Sequence, residues 1–281
     1  MTYDFHTIKI DFIFQEETMV RTFKILNIIF FLAMITINAL ANIIPFGYGN
    51  TGTISRKYPN LFTPSPVTFS IWGVIYLLLS LFIIFQSGMF GNEIPAHNFV
   101  QIVGPWFIIT CIMNIGWIFS WHYDVTWLSF VFIVGLLISL IILTCRLYPN
   151  SIWYARNMPP MHFLAKVSII TFDIYLGWIC AATIANASAL LVKLEWTRFG
   201  LSEEFWTVVA IIIGALLGVF FIITREKYMS AAAIIWAFCG IMIKHISQTG
   251  YAGKYPLIIA VLVVSIVAIL STSIIKIMTT N

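Results

Sequence analysis

The sequence predicts an all-α fold, a polytopic membrane helix bundle of about eight transmembrane helices, and three observations carry that expectation. Eight apolar runs are each about as long as a bilayer crossing requires. Charged residues make up 9% of the 281-residue chain against 60% hydrophobic ones, and they fall almost entirely between those runs. The runs also lack the ten-residue alternation of barrel strands, so their peptide groups must pair within helices. The expected spans are residues 25–45, 66–87, 99–121, 125–146, 164–192, 205–224, 228–247 and 256–278. Short links leave no room for a soluble domain.

The first 18 residues mix acids and bases. Met19, followed by Val20, Arg21 and Lys24, has the basic flank of a first helix and offers an alternative start. Ala39-Leu40-Ala41 has the small-x-small form of a signal-peptidase site, with cleavage after Ala41. The long apolar run and the mixed leading segment argue for a retained helix. Assigning the links to alternate sides puts Lys9, Arg21, Lys24, Arg146, Arg156, Lys166, Arg225, Lys227 and Lys276 on the N-terminal side. Six remain opposite: Arg56, Lys57, Lys193, Arg198, Lys244 and Lys254. The excess predicts cytoplasmic termini, and the lack of a transit-type leader predicts a plasma (inner) membrane. The formal charge of +4 is scattered, with no basic cluster to follow a phosphate backbone, so nucleic acid is excluded as a partner and membrane lipid is expected.

The second helix enters from a link carrying Pro59, Pro64 and Pro66, and its first turns carry Phe69, Trp72 and Tyr76. Trp72 and Tyr76, four apart, share one helical face, where they either anchor the helix at the interface or line a pocket. The third helix carries Asn114 and Trp117 one turn apart. An amide in hydrocarbon either bonds across helices or meets a ligand. In the fifth helix Ala181, Ala185 and Ala189 form a small-residue stripe read as packing, while Tyr175, Trp178, Ala182 and Asn186 occupy an adjacent face that can look into the bundle.

Metal chemistry has no support in the sequence. Cys111, Cys145, Cys180 and Cys239 sit in or at the ends of apolar runs without a CxxC pair, and His6, His97, His122, His162 and His245 are scattered. Two charges fall within predicted spans. Lys244 is close enough to its helix end to snorkel, and too far in depth from Asp173 to pair with it or to serve as a Schiff-base lysine. Asp173 is deeper and is read as protonated, bonded to a neighbouring helix, or part of a proton or polar path. Gly214 and Gly218 form a GxxxG preceded by Ala210, suited to a close contact within the chain or in a homodimer, with the intrachain use expected.

Together the proline-bearing entry to Phe69, Trp72 and Tyr76, the Asn114 to Trp117 pair and the Tyr175, Leu176, Trp178, Ala182, Asn186 series resemble the translocator protein family, also called tryptophan-rich sensory proteins (TspO/MBR). The resemblance spans roughly residues 25–192. It implies a five-helix core around a pocket for porphyrins and other flat apolar ligands, with Trp72, Tyr76, Asn114, Trp117, Tyr175, Trp178, Ala182 and Asn186 at the ligand. There are departures: Ile174 stands where the family has proline, Phe69 is one residue nearer Trp72, and Ile118 replaces a serine. The sterol-recognition series of animal members is absent after Asn186, so a sterol is not expected. The expected organisation is a cytoplasmic segment 1–24, the family-like core 25–192, and three additional helices in 193–281.

The leading expectation is a receptor or carrier for a tetrapyrrole-like ligand, with no cofactor beyond such a ligand. The alternative is a proton-coupled secondary transporter of a small molecule using Asp173. Catalysis is the least supported reading, because no nucleophile and base, metal signature or dinucleotide fingerprint is present.

Overall fold

The computed structural model describes residues 5–44, 47–49, 51–88, 93–157 and 163–280. Among these residues ten α-helices follow in order: α1 (Phe5–Ile43), α2 (Thr51–Lys57), α3 (Ile71–Gln86, entered through a 3-10 turn Pro66–Ser70), α4 (Glu93–Val103), α5 (Trp106–His122), α6 (Thr126–Asn157), α7 (Phe163–Lys193), α8 (Glu203–Arg225), α9 (Tyr228–Ile246) and α10 (Pro256–Thr280). Among the described residues, seven helices are long and apolar enough to cross a membrane, and α4 with α5 form an eighth span if the bent pair is counted as one. The all-helical membrane bundle is therefore the fold of this chain.

Two expected elements take a different form. The span at 99–121 is not one helix: α4 and α5 meet at a 56° bend. Gly104 adopts φ +53 there, and Pro105 supplies no amide hydrogen to continue the ladder. At the N-terminus the helix begins twenty residues before the expected span, at Phe5, and its apolar stretch runs from Gln15 to Ile43.

α7 is the central element. It packs on α3, α6 and α9, while α1 leans on α5 and α8 pairs with α10. The approach of α9 to α7 is close because Gly177 has no side chain: a Cβ there would stand 2.1 Å from the Ser230 carbonyl oxygen. Gly240 similarly leaves room for Thr68, whose Oγ1 would lie 1.9 Å from a Cβ. The last three helices are thus joined to the preceding bundle through α9, on which α8 and α10 pack in turn. Gly214 faces Phe238 of α9 and Gly218 faces Ile269 of α10, so the GxxxG contact is made within the chain.

Candidate functional site

The proline-bearing link is fixed from several directions. Asn60 Oδ1 accepts from the amides of Phe62 (3.1 Å) and Thr63 (2.9 Å), folding the chain back as Asx turns do. The Leu61 amide donates to Glu203 of α8 (2.9 Å), and the Ser65 amide donates to the Gly240 carbonyl of α9 (3.0 Å). Trp236 donates its indole N–H to the Thr68 carbonyl (2.9 Å). Phe69 and Trp72 consequently enter the bundle on a braced segment.

Trp72 is the hub of an aromatic cluster. Its ring stacks on Tyr76 (5.6 Å between centroids) and on Trp117 (5.5 Å), and meets Tyr175 (5.9 Å) and Trp178 (6.1 Å) edge-on. These geometries suit aromatic pairs, whose quadrupoles oppose a face-to-face sandwich but accept offset and T-shaped contacts. Two cavities flank this cluster, and Phe69, Trp72 and Trp117 line both. The larger, about 800 Å³, lies between α1 and α3 under α2 and is walled by Tyr76, Gly73, Asn38, Asn42 and Arg56. The smaller, about 50 Å³, lies inward of Trp72 against Trp178, Ala182 and Asn186.

The expected site residues therefore divide. Trp72, Tyr76 and Trp117 face the large cavity; Trp72, Trp117, Trp178, Ala182 and Asn186 face the small one. Asn114 and Tyr175 line neither. Asn114 accepts from Asn38 of α1 (2.7 Å) and donates to the Tyr175 hydroxyl (3.1 Å), a fully buried tie between α1, α5 and α7. Asn186 donates to Ser129 of α6 (2.8 Å). The stripe Ala181, Ala185, Ala189 packs in the core, as read, and also lines the small cavity.

Several polar atoms at these walls are left over. Among the described residues no hydrogen-bond partner reaches the Tyr76 hydroxyl, the Nε1 of Trp117 or Trp178, or Asn186 Oδ1, and all four atoms are buried. Buried polar groups are normally paired, so four such atoms on two adjoining cavities are a marked departure.

α2 roofs the large cavity and is latched to the α5–α6 turn. The Tyr58 hydroxyl donates to Asp124 Oδ1 (2.5 Å); Lys57 reaches Oδ2 and Lys193 reaches Oδ1, each at 3.4 Å. The Trp121 indole donates to the Thr51 carbonyl (3.2 Å). Burial pushes the Asp124 carboxyl upward, but the Tyr58 hydrogen bond and the two ammonium groups outweigh it and hold the group below its ordinary range. Burial first, then the hydrogen bond to Asp124 and its charge, push the Tyr58 phenol up.

Asp173 has a partner that the sequence reading missed. Lys227, in the α8–α9 link, donates to its carboxylate, and Ser230 Oγ donates to its backbone carbonyl (2.8 Å). Both charges are largely shielded, with side chains 13% and 7% exposed. Lys244 lies over the Tyr251 ring (5.3 Å to its centroid) at the opposite end of α9. Asn38, Asn42 and Arg56 were also missed. The amides four apart in an apolar run were a legible signal, whereas Arg56 sits in a link with nothing local to distinguish it. Among the described residues no group of three or more His, Cys, Asp or Glu side chains converges.

Comparison with curated proteins and with solved structures returns no match for the chain. A family model described as TSPO-like protein matches residues 24–275, continuing past residue 192 through α8, α9 and most of α10. With that match covering most of a bundle of membrane-spanning helices, this integral membrane protein belongs to the TSPO-like protein family.

Proposed function

We propose that the protein is a membrane receptor or carrier for a flat, largely apolar ligand of the tetrapyrrole class. The ligand lies in the cavity between α1 and α3, against Trp72, Tyr76 and Trp117. The carrying observation is the set of unpaired buried polar atoms on Tyr76, Trp117, Trp178 and Asn186, four residues that line one or both of the aromatic-walled cavities. The large cavity has a volume typical of small-molecule sites, and its stacked rings offer a flat face. The small chamber is too confined for such a ligand with Trp72 in place, so Trp178, Ala182 and Asn186 take part only when that ring swings aside. Asn114 and Tyr175 set the spacing of the walls.

The test is an absorbance titration with protoporphyrin of the purified protein and its Trp117→Phe variant. Saturable binding weakened about tenfold in the variant, the scale of one hydrogen bond, is the expected result. Absence of saturable binding in folded protein, or identical affinities, would remove the reading. The proton-coupled alternative gains less support: Asp173 is engaged by Lys227 about 20 Å along α7 from Asn186, at 1.5 Å per residue.

A further inference from the structure

α7 and α8 are consecutive, yet they scarcely touch: α7 packs on α6 and α9, and α8 on α10 and α9. The space left between them is a third cavity, of about 430 Å³. Its floor lies near Thr183 and Ile213, each ten residues from the near end of its helix, which is about 15 Å of depth. That is half the roughly 30 Å hydrocarbon thickness, the reach of one leaflet. Small side chains at Ala187 and Ala210 keep the groove open from both walls.

The mouth is polar and aromatic. Trp196 and Trp206 pack at 4.9 Å, the kind of pair that sits at headgroup level. The link between the helices holds Glu195, Arg198 and Phe199 at positive φ (51°, 58° and 53°), with Trp206 Nε1 donating to the Arg198 carbonyl (2.9 Å). Non-glycine residues adopt that region at a cost, and such strain gathers at functional sites. The result sets one cation and two carboxylates on the rim: Arg198, Glu195 and Glu203. Glu203 is committed to the Leu61 amide and stands 3.9 Å from Arg198, while Glu195 forms no ion pair among the described residues.

We propose that this groove is a binding site for one zwitterionic glycerophospholipid of the leaflet into which α7 ends. An acyl chain fills the slot, Arg198 meets the phosphate and Glu195 meets a primary ammonium headgroup. An anionic headgroup without the ammonium would face the carboxylates uncompensated, so the site selects phosphatidylethanolamine over phosphatidylglycerol.

The experiment reconstitutes the full chain in equimolar phosphatidylethanolamine and phosphatidylglycerol vesicles, extracts it in mild detergent, and counts retained lipids by native mass spectrometry. Wild type is expected to keep one additional lipid, with the ethanolamine form enriched about twofold to fivefold, as exposed ion pairs allow. Ala187→Trp and Ala210→Trp fill the slot from opposite walls and should each lose that lipid. Two variants guard against one that fails to fold, with thermal unfolding run beside them. Glu195→Gln should keep the lipid and lose the enrichment. Unchanged lipid retention in both folded tryptophan variants, or equal retention of the two lipids by wild type, would overturn the proposal.

Discussion

At the scale of single residues, Trp72 joins and separates the two halves of the site. It is half-buried and contacts Tyr76, Trp117, Tyr175 and Trp178. Trp72→Ala merges the cavities but removes the stacking face, so protoporphyrin affinity should fall about tenfold, read by absorbance titration. Arg56, on the wall of the large cavity, forms no ion pair among the described residues and donates to Thr53 (3.0 Å). An acidic ligand should use it. Arg56→Gln is expected to weaken protoporphyrin several-fold at low salt while leaving its dimethyl ester unaffected; equal effects on both would deny the charge a role. The aromatic positions were legible because helical spacing puts them on shared faces. Their division between two cavities was not, since it depends on which rotamer Trp72 takes among side chains from two other helices, α5 and α7.

Among the elements, α2 behaves as a latched roof, and Asp124 is the latch. Its carboxyl ionises below the usual range when α2 is docked. The latch is therefore complete above the ordinary carboxylate pKa of about 3.9 and is lost as pH falls through the lower folded value. Asp124→Asn should bring the acid behaviour to neutral pH. The expected sign is lower amide-exchange protection across Thr51–Lys57 with faster ligand release; unchanged protection would show the Trp121 contact to suffice. Nothing in the local pattern announced this latch, because Tyr58, Asp124 and Lys193 come from three distant parts of the chain. The bend between α4 and α5 lay closer to the surface of the sequence. Gly104-Pro105 is a breaking dipeptide, outvoted there by the apolarity around it.

Across the whole molecule, the helical membrane bundle was readable from hydropathy alone, because lipid leaves the backbone no other solution. The relation of the last three helices to the first five was not. It rests on close approaches at Gly177 and Gly240 and on the Asp173 to Lys227 pair, which joins α7 to the α8–α9 link. Breaking a buried pair on one side strands the other charge, at about 3–5 kcal/mol, whereas replacing both with apolar groups is often tolerated. Asp173→Asn and Lys227→Met should each lower thermal stability clearly, and the double variant should recover most of it. A double variant as unstable as the sum of the singles would argue against pairing.

The central claim is that the space between α1 and α3 takes the ligand, and Gly73 offers the most direct test. A Cβ built there meets nothing within 4 Å, so a larger side chain enters the cavity without displacing the backbone. Calorimetric titration of protoporphyrin into Gly73→Leu, with the melting temperature confirming the fold, should show binding lost or weakened at least tenfold. Wild-type affinity in a folded Gly73→Leu protein would contradict the account and place the ligand elsewhere.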